Sequence, residues 1–439
     1  MQESPIVGGN FNNGVNAGLR YWNLNNSPAN ANIYIGARLI LAITKEVIAR
    51  YYPYHLVKIK SKRQGVVGLI SKYLETLKRK KLITIKRIGN IYDRITEYEN
   101  IKQAITNASR KKKDRKPVRK ILENIDFYTM EIKEVLENKT YNPSPYVEQK
   151  IRDGANGKER LIFKPKFYPD QCIHWALMQI IEPIFNKGMY EYTCGSVPNR
   201  GIHYAQDRIK KWIKKDRKYT KYVLQIDITK FYPSVNHDAL KNMLRTKIKD
   251  RDVLLLLDKI IDSADEGLPI GNYTSQWLAN FYLQEFDYFI KQKLMAKYYV
   301  RYMDDCIIFG NNKKKLHKSL REIREYLESI GLKVKDNWQV FKLDKRPLDF
   351  LGFKFYRTHV TMRKRNALRI KRRAKRIYKR GNLNYKDSAA MISYLGWLKH
   401  SDSHNYYKKN IEPYVDVKKM KEVISVESRR RNKAPKYLH

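Results

Sequence analysis

Two apolar, β-rich runs of this chain end on aspartate, and that placement constrains the fold more than any other feature. Residues 222–228 read Tyr-Val-Leu-Gln-Ile-Asp-Ile, a strand with Asp227 near its end. Residues 298–303 and 306–309 read as two short strands with only Asp304-Asp305 between them, a tight hairpin. Asp in a turn is common by itself. If these strands are antiparallel neighbours in one sheet, however, the carboxylates lie within a few ångström of one another. Unpaired, they would repel and raise each other's pKa. A hard divalent cation removes that conflict, and oxygen ligands with retained waters suit Mg²⁺.

The flanking periodicity fills in the fold. Asn236 and Asp238 mark a helix start. A long helix is predicted over 275–297, where Leu278, Tyr282, Phe286 and Ile290 repeat at i+4. Leu316, Leu320, Ile323 and Leu327 give another amphipathic helix, closed by Gly331. Residues 338–341 and 349–356 are strand candidates. This order predicts an α+β arrangement around an antiparallel sheet.

Composition indicates the partner. The 439 residues carry 90 Lys+Arg against 44 Asp+Glu, a net charge of +46. Such an excess calls for a polyanion. Thirty-three Tyr interleaved with the cations suit phosphate contact plus base stacking, which favours nucleic acid over an anionic membrane surface. A hydrophobic content of 42% excludes wholesale disorder. Three cysteines form no CxxC pair, and no run of 18 apolar residues is present. With no secretory pattern at the N-terminus, a reducing, cytoplasmic compartment is expected.

Tyr302-Met303-Asp304-Asp305 resembles the signature hairpin of reverse transcriptases, and residues 227–234 (Asp-Ile-Thr-Lys-Phe-Tyr-Pro-Ser) resemble their first palm motif. Residues 349–353 are similar to the primer-grip segment and 157–162 to the fingers strand. The resemblance runs from about 87 to 400. It implies a right-hand polymerase with fingers, a ferredoxin-like antiparallel palm and a helical basic thumb. It also implies RNA-directed DNA synthesis by a two-metal mechanism. Asp227, Asp304 and Asp305 would be catalytic, and with Ile228 they would form the metal-binding set for two Mg²⁺ ions. Two such ions, roughly 3.5–4 Å apart, activate a 3′-hydroxyl and stabilise the leaving pyrophosphate. Tyr232 would stack under the incoming sugar and block a 2′-hydroxyl, while Phe231 fills the core. Arg160 and Lys158 would clamp the triphosphate, a task that suits guanidinium.

Within the family, Ile270-Gly271 followed by Ser275-Gln276 resembles reverse transcriptases of diversity-generating retroelements. There an apolar residue replaces a polar one near the incoming nucleotide. Ile270, Gly271 and Gln276 are thus nucleotide-site candidates. Each lost contact is worth about 1–3 kcal/mol of discrimination, a scale that suits error-prone copying. The Asn-rich residues 1–45, with nine Asn and three basic residues, resemble the variable stretch of target proteins of these elements. They read as a translated template repeat without an independent fold. Many members of the family carry a lysine after the helix that ends at Gly331, a candidate proton donor to pyrophosphate; here the best-matching position is Asn337, Lys335 or Lys342 could substitute, and the role is unassigned.

The expected organisation is 1–45 repeat-like, 46–86 basic linker, 87–356 fingers and palm, and 357–439 thumb and tail. Residues 357–380 hold twelve Lys/Arg and no acid. Residues 363–380 read as a helix whose apolar points are Leu368, Ile370 and Ile377. Arg363, Lys364, Arg365, Arg369, Arg372 and Arg373 are expected to grip a template–primer duplex as uncompensated cations. Expected partners are template RNA, a DNA or RNA primer, deoxynucleoside triphosphates and, by resemblance, a small basic accessory protein; no membrane is expected. The competing readings are a retron, group II intron or phage-defence reverse transcriptase, and a non-catalytic RNA-binding scaffold.

Overall fold

The structure, a computed structural model, describes residues 87–153 and 158–433. The expectations for 1–45 and 46–86, the last six residues of the tail and the side chain of Lys158 lie outside the described residues. Four helices come first: α1 (Tyr92–Thr96), α2 (Tyr98–Ser109), α3 (Lys116–Glu123) and α4 (Ile125–Glu137). On α2, Ile101, Ala104, Ile105 and Ala108 are buried along one helical face. An antiparallel hairpin follows, β1 (Val147–Asp153) and β2 (Lys158–Lys164). Next comes α5 (Cys172–Lys187), which packs against α2 and is tied to it by Asn100 Nδ2 donating to the Ala176 carbonyl at 3.1 Å.

The palm is built from β3 (Thr193–Cys194), α6 (Ile202–Lys215), β4 (Tyr222–Ile226), α7 (His237–Lys247), α8 (Arg251–Ile261), α9 (Tyr273–Tyr282), α10 (Gln284–Tyr288), β5 (Tyr298–Tyr302), β6 (Asp305–Gly310), α11 (Lys313–Ser329) and β7 (Gln339–Lys342). Its five strands are ordered β3-β5-β6-β4-β7. Every pairing is antiparallel except β3 with β5, so the expected antiparallel palm carries one short parallel edge. Side chains alternate between two cores. Leu224, Ile226, Tyr299, Cys306 and Ile308 join Leu278 of α9 and Ile323 of α11 on one face. Val223, Val300, Ile307 and Phe309 join Ile209 and Trp212 of α6 on the other.

A second sheet of β8 (Leu348–Phe350), β9 (Phe353–Phe355) and β10 (Val360–Met362) leads to the thumb helices α12 (Lys364–Arg380), α13 (Tyr385–Lys399), α14 (His404–Asn410) and α15 (Val417–Lys433). The architecture is α+β, a right-hand polymerase. Among the described residues, no helix is long and apolar enough to cross a membrane.

Several local expectations are corrected. The helix over 275–297 starts at Tyr273 and breaks at Leu283 (φ −92°, ψ 6°). Beside the break, Asn280, Gln284 and Asp287 are each bonded to buried partners, and these contacts override the apolar period. The strand at 338–341 runs from Gln339 to Lys342. The strand at 349–356 is a hairpin, β8–β9, turned at Leu351-Gly352 with both φ positive. A Cβ on Gly352 would lie 2.5 Å from Trp397, so only glycine fits there. On α12 the buried positions are Ile370, Ala374 and Ile377, whereas Leu368 is exposed.

The hairpin that carries Asp304 and Asp305 is also shifted. Tyr302 pairs with Asp305, so the turn is Met303-Asp304 and Asp305 belongs to β6. Met303 takes φ +55°, a costly conformation for a side-chain-bearing residue. Two bonds hold it there. Met303 N donates to Cys194 O at 3.2 Å, and Met303 O accepts from Arg301 Nη1 at 3.0 Å. Arg301 is fully buried and forms a forked pair with the equally buried Asp287, at 2.8 Å from Nε and 2.7 Å from Nη2. Thr193 and Tyr299 hydroxyls satisfy the remaining carboxylate valences, and Asn280 Oδ1 accepts from Arg301 Nη1 at 3.0 Å. Burial works against the Arg301 charge, but Asp287 more than offsets it and keeps the guanidinium protonated.

Two outcomes follow from this packing. Ile370→Ala should cost about 2–5 kcal/mol in a urea titration, whereas Leu368→Ala should stay within about 0.5 kcal/mol. Arg301→Met should cost about 3–5 kcal/mol by stranding a buried carboxylate. The double variant Arg301→Met/Asp287→Leu should be less destabilised than Arg301→Met alone; a double variant that is simply additive would contradict the reading.

Candidate active site

Asp227 is the first residue past β4, and Ile226 at the end of that strand pairs with Cys306 of β6. The register therefore sets Asp227 beside the Met303-Asp304 turn, with Asp304 and Asp305 next to it. All three carboxylates are half-buried. Burial, then the Asp227 charge, pushes the Asp304 carboxyl well up from its ordinary value. Burial, then Asp304 and Asp227, pushes Asp305 up to about 7, while Arg363 and Lys335 pull the other way. Asp304 and Asp305 are thus held beside like charges at a cost in repulsion.

Lys335 meets this cluster directly. Residues 333–335 run antiparallel to 227–229: Ile228 bridges Val334, and Lys335 N donates to Asp227 O at 2.8 Å. That pairing carries Lys335 Nζ to 3.0 Å from Asp227 Oδ2. The bond to Asp227 raises the Lys335 pKa and keeps the ammonium charged. Of the two lysines left open by the sequence, Lys335 is at the carboxylates, whereas Lys342 is at the far end of β7, opposite Tyr222.

The donor set fits divalent ions of the kind expected. Among the described residues, no three Asp, Glu, His or Cys side chains form a closed metal cage. Mg²⁺ is normally held by one or two carboxylates completed by waters and substrate phosphates. The Asp227–Asp304 pair, whose mutual repulsion a cation would relieve, matches that pattern.

The surrounding walls bring in most of the other candidates. Phe231 is buried in the core and Tyr232 lies half-buried beside it. Burial and then the Asp304 charge push the Tyr232 hydroxyl upward, so this ring borders the carboxylates. Residues 267–271 wedge between Tyr232 and the fingers. Leu268 N donates to Tyr232 O at 2.8 Å, and Phe163 N on β2 donates to Ile270 O at 2.9 Å. A Cβ at Gly271 (φ +139°) would lie 2.2 Å from Phe163 O, so glycine there is a packing requirement. Arg160, exposed on β2, lowers the Asp304 pKa and so faces the same space. Gln276 is exposed on the first turn of α9.

Below the carboxylates a polar cavity of about 140 Å³ is lined by Gln225, Asp227, Asp305, Asn337, Gln339 and Asp349. Asp349 also lines an open groove with Lys354, Arg363, Lys364 and Arg365, so the cluster runs on to the start of α12. Arg369 and Arg372 are exposed further along that helix. The expectation of uncompensated cations is corrected in part: Arg363 is paired with Asp349, and Arg373 with Asp387 at 2.9 Å. Asn337, the position where the family pattern expects a lysine, lines the polar cavity; sequence reasoning missed Arg301, Asp287 and Gln339. A signal for Arg301 was present, a charge in the middle of the apolar strand Tyr-Tyr-Val-Arg-Tyr.

The family model described as reverse transcriptase (RNA-dependent DNA polymerase) matches residues 151–355, the stretch that holds every group above except the thumb cations. The Retron Ec73 reverse transcriptase of Escherichia coli is 25% identical over 67% of this chain and 95% of its own length. The group II intron-encoded protein LtrA of Lactococcus lactis is 28% identical over 36% of this chain and 28% of its own. Among solved structures, apo telomerase from Candida tropicalis matches with a TM-score of 0.42 and 12% identity, over 67% of this chain and 62% of that one. Residues 151–355 are a reverse transcriptase domain, and the chain that carries them is an RNA-directed DNA polymerase.

Proposed function

We propose that the chain copies a template-repeat RNA into cDNA with errors at template adenines, for the diversification of a target gene. In this reading Asp227 and Asp304, with the carbonyl of Ile228, hold two Mg²⁺ ions, and Asp305 supports them. When bound, the ions would activate the primer 3′-hydroxyl and stabilise the leaving pyrophosphate. Arg160 and Lys158 orient the triphosphate from β2. Tyr232 excludes a 2′-hydroxyl by bulk. Lys335, bonded to Asp227, neutralises that carboxylate before substrate enters and would then donate the proton the leaving group needs. Template RNA, primer and deoxynucleoside triphosphates are the substrates, with a basic accessory protein as partner. The compartment is cytoplasmic. Residues 1–45 would be the translated repeat, 46–86 a linker, 87–356 fingers and palm, and 357–439 thumb and tail.

The observation that carries the error-prone reading is the position of Ile270. Its carbonyl is bonded to the fingers strand and its loop to Tyr232, which puts this residue in the wall between Arg160 and the sugar-side aromatic. An apolar side chain there offers the nucleotide no hydrogen bond and leaves geometry loosely checked. A second reading, a retron-type enzyme, is favoured by a match that spans 95% of a retron reverse transcriptase.

Sequencing the cDNA made on an RNA template with all four bases separates the two. Errors concentrated opposite adenines, and falling about 5–150-fold in Ile270→Gln, are the expected result, because one restored polar contact is worth about 1–3 kcal/mol. Uniformly faithful product from the wild type, unaltered in the variant, would shift the assignment to the retron type.

A further inference from the structure

Outside the cleft, the strongest unassigned feature is the solvent face of α6. The inward side of this helix is apolar, with Ala205, Ile209, Trp212 and Ile213 buried in the core behind the sheet. The outward side carries Lys211, Lys214 and Lys215 at i, i+3 and i+4, and the chain beyond adds Arg217, Lys218 and Lys221, all exposed. Of the nearby acids, Asp207 is exposed on α6 one turn before Lys211, while Asp216 and Asp344 are already engaged. Asp216 accepts from Lys297 Nζ at 2.6 Å and Tyr298 Oη at 3.1 Å. Asp344 is bonded to Arg357 at 3.1 Å and, more loosely, to Arg217 at 3.5 Å. Among the described residues, Lys211, Lys214, Lys215, Lys218 and Lys221 have no carboxylate partner. Like charges at this helical spacing oppose folding, so the face gains from an external anion.

Its place in the fold separates it from the cleft. Asp216 pins the cluster to the start of β5 through Lys297 and Tyr298, and Lys221 adjoins Tyr222 at the start of β4. Asp227 lies five residues along that strand, roughly 16 Å away at about 3.3 Å per residue. The lysines therefore stand at the end of the palm opposite the carboxylates, whereas the first cations of α12 share a groove with Asp349. The anion is also restricted in kind. A membrane-binding helix sets large apolar residues beside its lysines. On α6 those residues point inward, Trp212 being only 8% exposed, and no large exposed apolar side chain occurs between 202 and 221. Folded RNA is gripped mainly through phosphates and shape, which lysines without aromatic anchors can supply.

We infer that this face binds the phosphate backbone of a folded RNA segment outside the copied stretch, and so anchors the template while the cleft acts on it. The inference rests on the polymerase reading for the identity of the polyanion. The test uses the full chain with Lys211, Lys214, Lys215 and Lys218 all changed to Gln, beside a matching Lys→Arg set. Affinity for a long hairpin RNA is read by fluorescence anisotropy across a salt series. Extension of a short, pre-annealed RNA–DNA template–primer is read at saturating concentration.

The Gln set should bind the hairpin about 10–100-fold more weakly near 0.15 M salt, with the salt slope reduced by about 3–4. Its extension rate on the short duplex should match the wild type, and the Arg set should bind as the wild type does. Unchanged hairpin affinity and slope in the Gln set would overturn the inference. So would an equal loss on the short duplex, which would make α6 part of the cleft. Weak binding by the Arg set would overturn it too, since charge would then not be what binds. Lost retention on phosphatidylglycerol vesicles with RNA affinity intact would assign the face to a membrane instead. Failure of the wild type to extend the short duplex would count against the polymerase reading alone, and the hairpin affinities would still decide this one.

Discussion

The buried pair of Arg301 and Asp287 is the interaction on which the rest of the site depends. Charges without solvent are tolerated only when every hydrogen-bonding valence is met, and here they are. Asp287 takes two bonds from Arg301 and one each from the Thr193 and Tyr299 hydroxyls. Arg301 spends its last donors on Asn280 and on the carbonyl of Met303. That final bond matters most for chemistry. It fixes a left-handed residue in the turn that presents Asp304, and so converts core packing into the position of a carboxylate.

The same economy governs the other side of the cleft. Three half-buried carboxylates next to one another are an unfavourable arrangement that strand pairing imposes. Lys335 relieves part of it, delivered by the antiparallel bridge between Ile228 and Val334. The wedge of residues 267–271 joins Tyr232 on the palm to Phe163 on the fingers by backbone bonds, with Leu268 buried in the core and the Gly267 carbonyl bonded to the His237 ring. The bond at Ile270 is made by its carbonyl and is open to any side chain, and on the proposed function that side chain sets how closely a nucleotide is inspected.

Much of this was legible in the sequence because short apolar, β-rich runs mark strands, and the aspartates stand where those runs end. Asp227, Asp304 and Asp305 followed from that pattern, as did the buried faces of α9 and α11. What was not legible depended on register or on tertiary partners. The one-residue shift that makes Met303-Asp304 the turn comes from the Arg301 bond, whose partner Asp287 sits in a separate helix. The break at Leu283 has the same origin, since polar residues on either side of it answer to different buried partners. Charge runs misled in one respect: 363–380 holds no acid, but Asp349 and Asp387 reach it from elsewhere and pair with Arg363 and Arg373.

On the proposed function, these clustered aspartates perform metal-dependent nucleotidyl transfer on an RNA template. Single-turnover extension of a DNA primer annealed to RNA tests it most directly, with Mg²⁺ or EDTA, for the wild type and Asp304→Asn. A lost metal ligand removes several kcal/mol of transition-state stabilisation. At about 1.36 kcal/mol per tenfold, the variant should be slower by about 10³-fold or more, with RNA affinity nearly unchanged and EDTA abolishing the wild-type product. Extension that survives EDTA or the Asp304→Asn change would contradict the account. Tight RNA binding by the wild type without any extension would leave the fold in place and make the chain a scaffold.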